Sequence, residues 1–288
     1  MHPTLDVAVV SSKQLRDLNE DDRLLIDALR ARGLRSRAVA WRGQRVNWPG
    51  VGVAVVRSTW DYSTRLPEFL HWARDVSRVS TLVNGLDVVR WNTDKRYLLE
   101  LQNRGFPVVP THVFARGSTA NLDEVLCRME WPEGVIKPVV SAAARDTWRV
   151  SRGDPGSQKR FSDLLRRQAM MVQPFLAHIL DDGEVSLMFI NGSYTHAVRK
   201  RARPGDYRVQ DDHGGTVHDF DPSPDLIARA QDIVRAVPAE PLYARVDLAR
   251  DSSDEYLLME LEVVEPEMFL RYSAASIQAF CDALVVRL

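Results

Sequence analysis

The residue types best suited to chemistry in this 288-residue chain cluster between Tyr243 and Glu262. That stretch reads as two strands of alternating character on either side of a polar turn, Asp251-Ser252-Ser253-Asp254. Alternation sets Tyr243, Arg245 and Asp247 on one face of the first strand, and Glu260 and Glu262 on one face of the second. Paired as a hairpin, the strands bring Asp247, Glu260 and Glu262 to one spot with Arg245 beside them. Three carboxylates held together call for a cation to offset their repulsion. Hard oxygen ligands suit magnesium, which takes a few carboxylates together with phosphate oxygens. The plainer alternative is a solvated hairpin face whose acids point to water.

Further groups precede the hairpin. Arg57-Ser-Thr-Trp-Asp-Tyr62 follows an apolar strand and packs a guanidinium, an indole, a carboxylate and a phenol into six residues. In open α/β sheets, ligands bind beyond the carboxyl ends of strands, so Arg57, Trp60, Asp61 and Tyr62 read as substrate-facing. The alternative is a loop in which Trp60 packs on the next helix while Arg57 and Asp61 pair. Lys95 falls in the first turn of a helix expected from Thr93 to about Gln102, where a cation opposes the helix dipole and hints at an anion. Lys137 ends a short strand, and the small residues of Ser141–Thr147 then allow backbone N–H groups to approach phosphate oxygens. Pro174 breaks an apolar strand beside Gln173 and Phe175, leaving hinge backbone that can read an adenine edge. Glu184 follows. Arg199, Lys200, Arg201, Arg203 and Arg208 place five cations within ten residues, upstream of the Gly214-Gly215 turn. They suit a polyphosphate or a carboxylate, or else form a solvated surface.

The elements that must position these groups can be read from periodicity. Apolar runs at Leu5–Val10 and Val51–Val56, with further strands near 37–40 and 81–83, alternate with helices after Asn19 and around 66–76. That pattern predicts an open, mostly parallel α/β sheet over residues 1–90. Asn191-Gly192 marks a hairpin between strands 185–190 and 193–198. Amphipathic helices are expected at 224–237 and 275–286. Hydrophobic content of 45%, charged content of 27% and a net charge of −1 describe a globular protein with no electrostatic footprint for nucleic acid or an anionic membrane. No apolar run approaches the ~20 residues of a membrane span, and Met1–Asp6 lacks signal-peptide features. Cys127 and Cys281 read as buried thiols of a cytoplasmic protein. The seven histidines show no zinc-ligand spacing with cysteine.

Taken in order, Lys95, Lys137-Pro138, Gln173-Pro-Phe175, Glu184, Arg245-x-Asp247 and Glu260-x-Glu262 resemble the ATP-grasp ligases. The resemblance spans nearly the whole chain. With Arg57–Tyr62, Trp91-Asn-Thr-Asp-Lys95 and Leu258-Met-Glu-Leu-Glu-Val-Val-Glu-Pro266, the chain looks most like the D-cycloserine synthetase group, in a glutathione synthetase-like layout. The resemblance implies an α+β ATP-grasp fold: an N-terminal α/β domain (1–90), then a central lobe with a phosphate flap (91–175) and a C-terminal lobe with the magnesium site (176–288), clasping ATP between them. It implies that Lys95 and Lys137 hold ATP phosphates, that Gln173 and Phe175 read adenine, and that Glu184 takes the ribose. Asp247, Glu260 and Glu262 would bind two magnesium ions, with Glu260 bridging them. Arg245 and Lys200 would stabilise the phosphoryl group in flight, while Arg208, Gly214 and Gly215 would face the acyl intermediate.

Two features depart from what the wider ATP-grasp resemblance implies: Glu262 stands where family members usually carry Asn, a change the cycloserine-type group also tolerates, and the flap is rich in alanine rather than glycine. The implied reaction activates a small amino-acid-like carboxylate as an acylphosphate for attack by a nitrogen nucleophile. Asp61 would hold the substrate's ammonium, and Trp60 and Tyr62 its stem. Intramolecular ring closure, intermolecular dipeptide ligation, an ATP-grasp kinase and a nucleotide-binding module without chemistry are the competing expectations. A homodimer is the default oligomer.

Overall fold

The structure, a computed structural model, describes residues 4–12, 18–209 and 214–288. Three sheets are formed among the described residues. The first is parallel, in the order β2-β1-β3-β4, from β1 (Leu5–Ser11), β2 (Ser36–Ala40), β3 (Val51–Val56) and β4 (Thr81–Leu82). Its strands are apolar on both faces because both are covered. Val7, Val9, Val53 and Val55 face helix α1 (Glu20–Ala31) and the last helix of the chain. Ala8, Val10, Ala54 and Val56 face Trp41 and the Phe69 side of α2 (Leu66–Val76). Asn19 caps α1, its side chain accepting from the Asp22 N–H at 2.8 Å.

Between this sheet and the next lie α3 (Leu86–Asn92) and α4 (Tyr97–Asn103). The sequence places one helix here, starting at Thr93; instead, Thr93 ends α3. Asn92 is pinned across β13 (Tyr256–Glu262), donating to the Leu261 carbonyl at 2.7 Å and accepting from Val263 N–H at 2.9 Å. The helix therefore breaks. Lys95 sits in the break, where its N–H reaches the Val139 carbonyl at 2.9 Å.

The second sheet is antiparallel, in the order β5-β8-β6-β7: β5 (His112–Phe114), β6 (Glu133–Pro138), β7 (Trp148–Ser151) and β8 (Met170–Pro174). Helices α5 (Leu122–Arg128) and α6 (Pro155–Leu165) cover it. Asp154 caps α6 and Pro155 occupies its first turn.

The third sheet, β11-β10-β9-β12-β13, is also antiparallel. It contains β9 (Glu184–Ile190), β10 (Ser193–Arg201), β11 (Thr216–Asp219), β12 (Tyr243–Arg250) and β13. Asn191 and Gly192 both take positive φ in the β9–β10 turn, at 50° and 73°. Helix α7 (Pro224–Arg235) covers one face of this sheet, and α8 (Ala274–Val285) bridges the other to the first sheet. Asn84 clips the two sheets together, donating to the carbonyls of Tyr243 (2.9 Å) and Val263 (2.7 Å). No helix among the described residues is long and apolar enough to cross a membrane.

Candidate active site

A cavity of about 450 Å³ opens where the three sheets meet. Its floor is the β12–β13 hairpin. Asp247 lies opposite Glu260 and Arg245 opposite Glu262, and the register shifts between Asp247 and Leu248. This bulge breaks the alternation, so Met259 joins Glu260 and Glu262 on the cavity wall.

Charges on the floor are interlocked. The Arg245 guanidinium donates to Asp247 at 2.9–3.1 Å and to Glu262 at 2.7 Å. Asp247 also accepts from Ser186 Oγ at 2.5 Å and lies 3.4 Å from Lys200 Nζ. Lys200 pairs with Glu184, and Lys95 with Glu260. Burial pushes the Asp247 carboxyl up, but Arg245 and then Lys200 outweigh it and hold the group at about 2. Burial likewise works against ionised Glu260, and Lys95 and Lys137 hold it below its ordinary value. For Glu262, burial wins over Arg245 and lifts the carboxyl to about 7. Burial also raises Glu184, against Lys200, and lowers Lys137, against Glu260.

Lys137 projects from the end of β6, and Lys95 from the α3–α4 break, where its Nζ donates to the Ser141 carbonyl at 3.2 Å. Between β6 and β7 the flap Val139–Thr147 brings Ala142, Ala143 and Ala144 to the cavity. Ala143, Ala144 and Asp146 hold positive φ of 51°, 51° and 53°, the left-handed conformation that glycine would adopt without strain. Gln173 and Phe175 line the opposite side of β6 with Pro174 and Leu176. The Gln173 side chain is committed to Thr111 Oγ1 at 2.8 Å, and Phe175 N–H to the Glu133 carbonyl at 3.1 Å. Arg208 lines the cavity while bonding Asp206 at 2.8 Å.

Trp60 and Tyr62 reach the cavity from a 3-10 turn, Trp60–Thr64, but their neighbours do not. Arg57 is not a substrate ligand. It is buried at 2% exposure, donates to Asp22 at 3.2 Å and stacks near the rings of Tyr243 and Phe280. Asp61 is not one either: it accepts from Trp41 Nε1 at 2.8 Å and Arg42 Nε at 3.0 Å, away from the cavity. The loop turns sharply enough to send alternate residues to different partners, which spacing does not reveal. Gly214 and Gly215 also lie off the cavity wall, and Gly214, at φ 80°, sits against Arg203. His213, next to them, lies outside the described residues.

Two carboxylates of the wall escaped the sequence reading. Glu265 and Glu267 line the cavity beyond the end of β13, where strand alternation no longer applies. Burial, reinforced by Glu262, pushes the Glu265 carboxyl up to about 8, against Lys95.

The oxygen-only set Asp247, Glu260 and Glu262 has the donor chemistry of a magnesium site. Among the described residues, however, the His/Cys/Asp/Glu triplet whose ligating atoms lie within 4.8 Å of one another is a different one: His178, Asp182 and Asp254. Asp254 there is exposed and paired with Arg250 at 2.6 Å. The cavity carboxylates are drawn onto bases instead: Asp247 and Glu262 onto Arg245, and Glu260 onto Lys95.

Three sheets around a cavity of paired lysines and carboxylates define the ATP-grasp class, and comparison with known proteins narrows it. Residues 7–84 match the family described as the D-cycloserine synthetase DcsG N-terminal domain. The chain is 32% identical, over 98% of both proteins, to the cycloserine biosynthesis protein DcsG of Streptomyces lavendulae. It superimposes on a crystal structure of D-cycloserine synthetase DcsG with a TM-score of 0.87 at 30% identity, covering 98% of this chain and 99% of the other. Two more distant structures share the fold. The ATP-grasp ligase PsnB bound to a phosphomimetic precursor, Mg and ADP gives a TM-score of 0.68 at 17% identity, over 98% and 99% of the chains. The D-alanine–D-alanine ligase of Bacillus anthracis gives 0.69 at 13%, over 98% and 97%. The chain belongs to the D-cycloserine synthetase family of ATP-grasp enzymes, and is an ADP-forming carbon–nitrogen ligase.

Proposed function

We propose that this enzyme activates the carboxylate of a small amino acid as an acylphosphate and closes a ring onto it with a nitrogen of the same molecule, as in D-cycloserine synthesis. One observation carries the reading: Lys95, Lys137, Asp247, Glu260 and the aromatic pair Trp60 and Tyr62 line a single cavity. Its size falls within the roughly 300–1,000 Å³ of small-molecule sites. The named activity of the relatives supports the ring closure.

Lys95 and Lys137 bind the ATP phosphates, and the Gln173–Leu176 hinge reads adenine beside Met259. Glu184 takes the ribose. As phosphate oxygens draw Lys95 away, Glu260 is freed to swing toward Asp247. Asp247, Glu260 and Glu262 are the residues that hold magnesium, two ions in all. Magnesium supplies positive charge that offsets the repulsion between ATP and the attacking carboxylate. Arg245 and Lys200, fixed on Asp247, face the phosphoryl group during transfer. The carboxylate oxygen attacks the γ-phosphorus and ADP leaves; the nitrogen then attacks the acyl carbon, expelling phosphate. Ala142–Ala144 cover the reacting atoms and exclude water, which would hydrolyse the acylphosphate. Arg208 faces the acyl group. The lobes 1–90, 91–175 and 176–288 are the bodies that clasp the ligands.

Phosphate release with D- and L-amino acids, singly and in pairs, including O-ureidoserine, tests the proposal. Turnover of one substrate alone is expected. Activity only with pairs makes the enzyme a peptide ligase, and phosphate retained on the product makes it a kinase; either outcome overturns ring closure.

A further inference from the structure

The carboxylates of the cavity divide into those that hold a cation and one that does not. Asp247 and Glu262 share Arg245, Glu260 holds Lys95, and Glu184 holds Lys200. Glu267 accepts from Arg271 at 2.6 Å. Glu265 is as deeply placed, at 7% exposure, yet no lysine or arginine among the described residues comes within ion-pairing distance. Tyr62, whose hydroxyl is neutral, lines the same cavity. A buried carboxylate in this position either keeps a proton or receives a cation from a ligand.

The other side chains of the cavity bear on where that ligand would lie. Asn19, Trp60 and Tyr62 are the first-sheet side's contributions to the cavity wall. The Tyr62 ring is stacked on Phe69 at 4.9 Å, which fixes its position. An indole and a phenol lining the same cavity as a carboxylate form a setting for an ammonium group, which gains from ring faces as well as from the charge.

We propose that Glu265, the cavity carboxylate without a basic partner among the described residues, binds the substrate's ammonium group in the space it shares with Trp60 and Tyr62. This rests on reading the cavity as an amino-acid ligase site, and it gives Glu265 the role that sequence spacing assigns to Asp61. The ammonium takes no part in the phosphoryl transfer, so Glu265 acts as a specificity residue. A carboxylic acid lacking the amine leaves Glu265 buried and unpaired.

Calorimetry at saturating ADP and Mg²⁺ tests this. Alanine, serine and O-ureidoserine, in both stereochemical forms, are titrated against their deamino counterparts such as propionate and 3-hydroxypropionate. In the wild type, the amine-bearing member of a pair binds at least about tenfold more tightly, the scale of one buried polar group left unpaired. Glu265→Gln removes that preference while keeping ADP affinity within about twofold, since no nucleotide group is assigned to it. Glu265→Asp, which keeps the charge, retains a weakened preference. Three results overturn the proposal: an amine preference that survives Glu265→Gln, loss of Mg²⁺-dependent ADP binding in both variants, or no amino-acid binding by the wild type. A preference abolished by Glu265→Gln together with no phosphate release from any single amino acid leaves the ammonium site standing and removes only the ring closure.

Discussion

Two arginine–aspartate pairs, Arg57–Asp22 and Arg245–Asp247, look alike in burial and differ in consequence. Side-chain exposures are 1% and 0% in the first pair, and 10% and 2% in the second. Each guanidinium also lies near aromatic rings: Tyr243 and Phe280 for Arg57, Phe269 for Arg245. Asp22, with one basic partner, stays above its ordinary pKa because burial outweighs Arg57. Asp247, with Arg245, Lys200 and Ser186 around it, is held at about 2. The first pair welds α1 to the end of β3. The second keeps a carboxylate ionised at the wall of a cavity. Burial and pairing therefore do not tell the two arginines apart; the surplus positive charge around Asp247 and its place on the cavity wall do.

Breaking the cavity pair should have the largest effect. Arg245→Ala is expected to lower the rate of phosphate release by about 10²–10³-fold, the cost of one group aimed at transition-state charge. Lys200 and Ser186 still hold Asp247, so the urea midpoint should shift less than in the Arg57 variant. Glu260→Ala and Lys137→Ala should lose ADP release to at least the same degree. Robust turnover in these variants would sink the assignment of the hairpin as the reacting centre.

The second effect is on stability. Arg57→Ala strands Asp22 in the interior and should cost about 3–5 kcal/mol in urea unfolding. Turnover per folded molecule should remain near that of the wild type, because Arg57 does not reach the cavity. A variant that is stable but inactive would restore Arg57 to the site.

The same contrast explains what the sequence did and did not reveal. Alternation placed Arg245, Asp247, Glu260 and Glu262 along one face because the register Arg245–Glu262 and Asp247–Glu260 runs unbroken up to the bulge. The parallel first sheet was legible from its apolar runs, and the β9–β10 turn from Asn191-Gly192. Departures came where tertiary contacts override local pattern. Asn92 bonding to β13 splits one expected helix into α3 and α4. A bulge turns Met259 inward. In the Arg57–Tyr62 loop, four plausible ligands divide between cavity and core, and only Trp60 and Tyr62 face inward. Glu265 lies past the last strand residue, where spacing carries no direction.

The finest test concerns Glu262, which shares Arg245 with Asp247 and, among the described residues, forms no second ion pair. Burial lifts it from the usual 4.5 to about 7, and Arg245 only partly opposes the shift. The folded protein thus holds this proton more tightly than the unfolded chain, and stability falls as pH rises from about 4.5 through about 7. Asp247 works in the opposite sense: its contribution is complete above the ordinary carboxylate range and is lost as pH falls toward about 2. Glu262→Gln should flatten the decline in urea midpoint between pH 5.5 and 7.5, leaving the part due to Glu265, which extends to about 8. A magnesium ion bound at Glu262 must displace this proton, so Mg²⁺ affinity should climb with pH in the wild type and climb less in the variant. Because the wild-type carboxyl gives up its proton only near pH 7, the loss of Mg²⁺ affinity in Glu262→Gln should be smaller at pH 6 than at pH 8. An unchanged pH slope would remove Glu262 from the titrating set. Complete loss of Mg²⁺-dependent nucleotide binding would instead rank it with Asp247 and Glu260.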